Sequence, residues 1–364
     1  MGNKKSPVLG IRKMRQKPKI LIHEHLDCSL RPRTMMEFWD ALGFDNAQIP
    51  FPADVVGPWD NAKQASGTRR RQLRAEAVGN YQSFLVGFAS KSLANYVRAI
   101  VDHVLPLMQT EQNLRRITRD RIADAARDGI IGMELRFAPQ LHTFGGLSLE
   151  QVMDAVISEV DQSPFPVKLI VCALRHEDAE MAKRLADLSI KYRGYVGVFD
   201  LAADEEANPG VLEWWLPEAL RVRDTTGGDT SLTIHLTETR KATERDKRLI
   251  RENRIGRIGH GIQDEWSEVR EVCPTSNVVT GQIASFAQHP IDSFLKQGDP
   301  VTVNTDGTLF TEVQLSDEYR KLQEAFGWTE ADFLNVNLTA LQCASFSEAD
   351  KAVMKAALEA GYVH

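Results

Sequence analysis

The sequence predicts an α/β fold, a (β/α)8 TIM-type barrel with a helical insertion after the first strand and extra helices at the C-terminus. Three observations predict it. Eight short runs rich in aliphatic and β-branched residues alternate with longer stretches of helical period, as repeated βα units require. The 364 residues are 43% hydrophobic and 26% charged, a composition able to bury one large core. Polar residues fit for metal or acid–base chemistry fall at the carboxyl ends of several runs, where barrel enzymes assemble their sites.

The eight expected strands are Lys19 to His25, Ile131 to Phe137, Val167 to Leu174, Tyr195 to Leu201, Ser231 to Leu236, Ile255 to His260, Glu271 to Thr275 and Pro300 to Thr305. Between them, stretches such as Leu114 to Asp128, Glu177 to Tyr192 and Val211 to Asp224 place apolar residues three and four apart, the helical period. Pro32 to Gly129 reads as a mostly helical insertion folded over the barrel mouth, and the chain is helical again from Glu312. Residues 1–18 read as a basic, solvated tail and 19–364 as a single domain. Asn61 to Arg74, with its Arg69-Arg70-Arg71 run, is expected to be a mobile solvated stretch.

Forty-four Lys and Arg against 50 Asp and Glu leave a formal charge of −6, which disfavours nucleic acid as the main partner and favours a small molecule. The four cysteines form no C-x-x-C pair, so a disulfide framework and a thiolate zinc site are not indicated and a reducing cytoplasm is expected. No apolar run approaches the ~20 residues of a membrane span. Met1 to Ser6 fits the loose N-myristoylation pattern, against the plainer reading of a free tail. Nothing in the sequence fixes an oligomeric state.

His23 and His25 stand two apart on the first strand, so both imidazoles project from one face and can share a metal. Alone, such a pair is more often structural. Partners stand at other strand ends: His235 and Glu238 after the fifth run, His260 between two glycines after the sixth, and Asp306 after the eighth. His23, His25, His235 and Asp306 satisfy a catalytic zinc, which takes three or four N or O ligands and an open position. Fe, Co and Mn fit the same donors. Glu238 and His260 then remain for proton handling at the water and the substrate.

The chain resembles the adenosine deaminase family through His-Glu-His-Leu-Asp (23 to 27), Glu-Leu-Arg-Phe-Ala-Pro (134 to 139), Asp-Leu-Ala-Ala-Asp-Glu (200 to 205), His-Leu-Thr-Glu (235 to 238), Gly-His-Gly (259 to 261), Cys-Pro-Thr-Ser-Asn (273 to 277) and Asn-Thr-Asp (304 to 306). The resemblance implies one zinc on His23, His25, His235 and Asp306, with Glu238 donating a proton to a ring nitrogen and His260 as partner of the metal-bound water. It also implies that Asp27 faces the sugar hydroxyl of a nucleoside, although a loop-capping Asp is the plainer alternative. The expected reaction is hydrolytic deamination of a 6-aminopurine nucleoside, with Asp306 orienting the attacking hydroxide as well as binding metal.

Departures from the family pattern bear on substrate. Cys28 and Ala203 stand where glycines are common, Thr237 replaces the glycine of a His-Ala-Gly-Glu pattern, and Gly307 stands where many members carry an acid thought to contact the imidazole side of the purine. These changes favour altered specificity, with free adenine, a 5′-substituted adenosine such as aminodeoxyfutalosine, or another amino-heterocycle as alternatives. An amide or ester hydrolase and a non-catalytic binding protein are further alternatives. Phe84, Leu85 and Phe88 stand where family members place a lid, against the commoner reading of a helical stripe as core. His103, His142, His176, His289 and His364 read as structural or surface histidines.

Overall fold

The protein is described by a computed structural model that covers residues 10–206 and 212–362. The Met1 to Ser6 pattern and His364 lie outside the described residues. Eight parallel strands, β1 (Lys19–His25), β2 (Ile130–Phe137), β3 (Val167–Leu174), β4 (Val196–Ala202), β5 (Ser231–Leu236), β6 (Arg257–His260), β7 (Val269–Val272) and β8 (Val301–Val303), neighbour one another in chain order with helices between them. The ring joins at a parallel bridge between Glu24 and Asp306. There the His25 N–H donates to the Asp306 carbonyl at 2.6 Å and the Asp306 N–H to that of His23 at 3.1 Å. The side chain of Asn304 reinforces the seam, its Oδ1 accepting from the backbone of Ile22 and His23.

Strand β7 departs from expectation, starting two residues earlier and ending before Cys273. Pro274 lacks an N–H and sits at the first position of the short helix Pro274–Val279, where that loss costs nothing. The strand was hard to see because its middle residues, Arg270 and Glu271, are charged yet buried against ionic and carbonyl partners.

The tail also departs from expectation. Ile11–Gln16 forms a helix, α1, whose Met14 is buried in the core, so the packed chain starts before residue 18. Lys19 fastens it, donating from a buried ammonium to the carbonyls of Met14 and Lys17.

The insertion folds as helices α2 (Pro32–Leu42), α3 (Ala53–Gln64), α4 (Gly67–Ala89) and α5 (Leu93–Ala99) before α6 (Glu111–Arg127) returns to the barrel wall. The arginine-rich stretch expected to be mobile and solvated forms the end of α3 and the start of α4. Arg70 donates to the carbonyls of Ala62 and Ala65, and the Arg74 guanidinium lies 4.9 Å from the Trp59 ring centroid, a cation–π contact. Leu73, Ala77, Tyr81, Leu85 and Ala89, each four apart, form the buried face of α4. Helix α5 continues into one π turn, Ile100–Val104. Such turns recur at functional sites, and this one leads into the barrel mouth. Among the described residues no helix is long and apolar enough to cross a membrane.

Candidate active site

Strands β1, β5, β6 and β8 deliver the chemistry-bearing side chains to the carboxyl end of the barrel. His25 Nε2 lies 3.1 Å from His235 Nε2, and Asp306 Oδ1 lies 3.4 Å from His25 Nε2 and 3.5 Å from His23 Nε2. The buried Nε2 of His23 has no hydrogen-bond partner. An unsatisfied imidazole nitrogen beside two others and a carboxylate oxygen is a donor set fitted to a transition metal.

The supporting groups aim these donors. Glu271 Oε2 accepts from His23 Nδ1 at 2.8 Å, and Asp200 lies 3.0 Å from His235 Nδ1. Both contacts leave Nε2 free to face the centre. Arg136 ties the two carboxylates together at 3.1 Å and 2.5 Å, and Arg257 binds Glu271 and Glu134, each at 2.6 Å. Burial lowers the basicity of His25 and His235 and so keeps them neutral, the form that binds metal. Burial opposes ionisation of Asp306, yet the surrounding imidazoles hold its carboxyl well below the usual range. Its Oδ2 accepts from Ser276 Oγ at 2.5 Å.

Two further groups approach this centre. His260 brings a ring nitrogen within 4.8 Å of those of His23 and His235, and Cys273 stands as near to His23 and Asp306. Burial pushes the Cys273 thiol well above its ordinary pKa, which disfavours a thiolate ligand.

Glu238 lies across from the donors, its Oε2 3.6 Å from His260 Nε2. Burial, together with the charges of Asp306, Glu205 and Asp204, pushes its carboxyl well above the ordinary range. Its position depends on Glu205, whose carboxylate accepts from the backbone N–H groups of Thr237, Glu238 and Thr239 at 2.8, 2.7 and 3.1 Å. That clamp holds Thr237 at φ +56°, an uncommon conformation for a β-branched residue, and Trp266 Nε1 donates to its hydroxyl at 2.9 Å.

These groups line a cavity of about 230 Å3, sized for a small ring system. Its roof is Leu93, Tyr96 and Val97 of α5 with Ile100 and Val101 of the π turn. Val97 and Val101 are 42% and 49% exposed, so they form the rim. The lid therefore lies beyond Phe84, Leu85 and Phe88, which pack in or against the core and do not line the cavity. Asp27, Asp204 and Glu205 supply the polar side, with Cys28 and Ala203 beside them. Asp27 Oδ1 is 3.7 Å from His25 Nδ1, and burial raises its carboxyl to about 6. Ala203 adopts φ +77°, which explains why glycine suits that place. Gly307 is extended, with φ −145°, and is walled by Cys28 and the Tyr96 hydroxyl.

The structure brings together every residue singled out for catalysis or metal binding. Ala203 and Asp27 line the cavity and Gly307 adjoins it. Sequence reasoning gave no role to Asp200, Glu271, Glu205 and Asn277. Asp200, Glu205 and Asn277 stand inside motifs quoted above, and that membership was the only available signal. His103 is structural, bonded to Tyr81 and the Ile49 carbonyl, and His142 is buried against Phe137. His176 is exposed but lines the cavity, and buried His289 bonds Asn277.

The profile of the adenosine deaminase family matches residues 18–360. An adenosine deaminase of Mycobacterium ulcerans is 29% identical, with 91% of each chain covered. Among solved structures, Arabidopsis ADAL complexed with IMP superposes with a TM-score of 0.77 at 20% identity, covering 96% of this chain and 98% of that one. An adenine deaminase from Arthrobacter aurescens superposes with a TM-score of 0.75 at 19% identity over 94% and 98% of the two chains.

Proposed function

Because the chain belongs to the adenosine deaminase family of metal-dependent aminohydrolases, we propose that it uses zinc to deaminate an unphosphorylated 6-aminopurine, either adenosine or a neutral relative. The observation that carries this reading is Glu238, a carboxyl whose proton affinity burial raises, 3.6 Å from His260 and beside the four candidate metal donors. A hydrolase of amides or esters would have no ring nitrogen for such an acid to serve.

His23, His25, His235 and Asp306 would hold the metal, which when bound supplies hydroxide at neutral pH by lowering the pKa of water toward ~7. His260 hydrogen-bonds the attacking oxygen. Asp306, anchored by Ser276, orients the same oxygen. Glu238 donates its proton to the ring nitrogen next to the amino-bearing carbon, which makes that carbon electrophilic. Oxygen adds to the carbon, the proton of the added hydroxyl passes to the exocyclic nitrogen, and the C–N bond breaks to release ammonia and leave a 6-oxo ring, after which Glu238 regains a proton from solvent. The apolar roof from Leu93 to Val101 covers the ring and excludes water.

The absence of phosphate rests on charge. No Lys or Arg is among the described residues lining the cavity, whereas Asp27, Asp204 and Glu205 are. A phosphate ester placed there would meet these carboxylates with no lysine or arginine among the described lining residues to pair with it. Asp27 suits a sugar hydroxyl instead. The test is ammonia release from adenosine, adenine and AMP at equal concentration. We expect an unphosphorylated substrate to exceed AMP at least ~10-fold in kcat/KM, about 1.4 kcal/mol. Preference for AMP overturns the charge argument, and no ammonia from any aminopurine overturns the reaction.

A further inference from the structure

Behind His260 runs a chain of hydrogen bonds whose direction is fixed at its far end by a group that can only donate. The backbone N–H of Ile291 donates to His289 Nδ1 at 3.1 Å. A neutral His289 then carries its proton on Nε2. Burial, with His289 3% exposed, lowers its pKa to about 3 and keeps it neutral. His289 Nε2–H donates to Asn277 Oδ1 at 3.2 Å, which settles which end of that amide is oxygen. The remaining end, Asn277 Nδ2, lies 3.1 Å from His260 Nδ1 and must donate to it. All three side chains are buried, so no bulk water competes for these bonds.

We propose that Asn277 and His289 are positioning residues that hold His260 as the neutral tautomer protonated on Nε2, making it a hydrogen-bond donor toward the cavity and excluding it from the metal ligands. An imidazole nitrogen that bears a proton cannot bind a metal, so the proximity of His260 to His23 and His235 does not add a ligand. The sequence reading, in which His260 accepts or shares the proton of the attacking water, narrows to donation. Its Nε2 is 3.6 Å from Glu238 Oε2, so an oxygen seated beside the two can accept from the Nε2–H. The catalytic consequence rests on the deaminase reading, whereas the tautomer does not.

The experiment is nitrogen-15 NMR of the full chain labelled in histidine, with and without zinc, the His260 signals being assigned by their loss in His260→Gln. In the wild type we expect an unprotonated Nδ1 and a protonated Nε2, unchanged when zinc is added. Asn277→Asp, which offers His260 only acceptors, should move the proton to Nδ1. It should lower kcat by at least ~10-fold at full zinc content. His289→Gln, whose amide can still donate to Asn277, should retain the wild-type tautomer. A wild-type proton on Nδ1, or an Nε2 signal shifted by direct zinc binding, overturns the proposal whatever the variants do. The spectra need no turnover, so a failed substrate panel with the expected spectra would remove the reaction alone.

Discussion

A Cβ built on Gly307 would stand 2.5 Å from the Cβ of Cys28 and 2.8 Å from its carbonyl oxygen, closer than such atoms approach. The glycine is therefore required by Cys28 and not by its own backbone angles. Gly307→Asp, which would set an acid where many family members carry one, has no room for its first carbon. We expect Gly307→Ala to lose about 1 to 3 kcal/mol, the usual cost of overpacking, read from the urea midpoint. Cys28→Ala, which keeps the clashing carbon, should not rescue it. An unshifted midpoint would show that Cys28 yields.

Metal content gives the second prediction. Protein purified without added metal should hold about one transition-metal ion per chain by elemental analysis, and His23→Ala and His25→Ala should each lose most of it. Glu271→Gln and Asp200→Asn remove only the outer carboxylates, and metal affinity should fall about 10- to 100-fold. Metal-free protein with full turnover would overturn the four-donor assignment.

Glu238→Gln keeps shape and the backbone clamp from Glu205 but has no carboxylic proton to give. Metal content and melting temperature should stay near wild type while kcat falls at least ~10²- to 10⁴-fold. Retention of half the wild-type kcat would exclude Glu238 as the acid.

Glu318, which braces the helix after β7 through Thr275, is fully buried, and burial raises its carboxyl from an ordinary 4.5 to about 7. Its Oε1 accepts from the Thr275 N–H and its Oε2 has no partner. The folded chain therefore holds this proton more tightly than the unfolded chain. The associated stability is full below about 4.5 and is lost as pH rises through about 7, a change of at most about 3 kcal/mol. Glu318→Gln should flatten that slope, measured as urea midpoints at pH 5 and pH 8. Equal slopes in the two proteins would place the titration elsewhere.

The strands and reacting groups were legible because short apolar runs and strand-end histidines are local signals. Four of the site's supports were not, because each acts between different strands or their loops, far apart in sequence. Glu271 reaches His23 from β7, Asp200 reaches His235 from β4, Glu205 clamps the turn after β5, and Asn277 meets His260 from the helix after β7. A buried carboxylate within an apolar run looks like an interruption until its Arg136 partner is found. Phe84, Leu85 and Phe88 belong to the core, the commoner reading of their spacing, and the roof comes from a helix the sequence did not single out. The apolar stripes of α4 and α5 read alike, and only packing shows that α4 supplies core while α5 faces the cavity.

The barrel is seamed at the residues proposed to hold the metal. Strand β8 has only three residues, and past it the ring is stitched by Asn304 and by the backbones of His23, His25 and Asp306. Whatever gathers those side chains also draws β8 against β1, so occupancy and closure share one coordinate. We expect amide hydrogen exchange at His25 and Asp306 to slow on metal addition far more than exchange in the β3–β4 ladder, which lies away from the seam. An exposed chelator would then act as a tool that unzips one edge of the barrel while leaving the opposite wall folded.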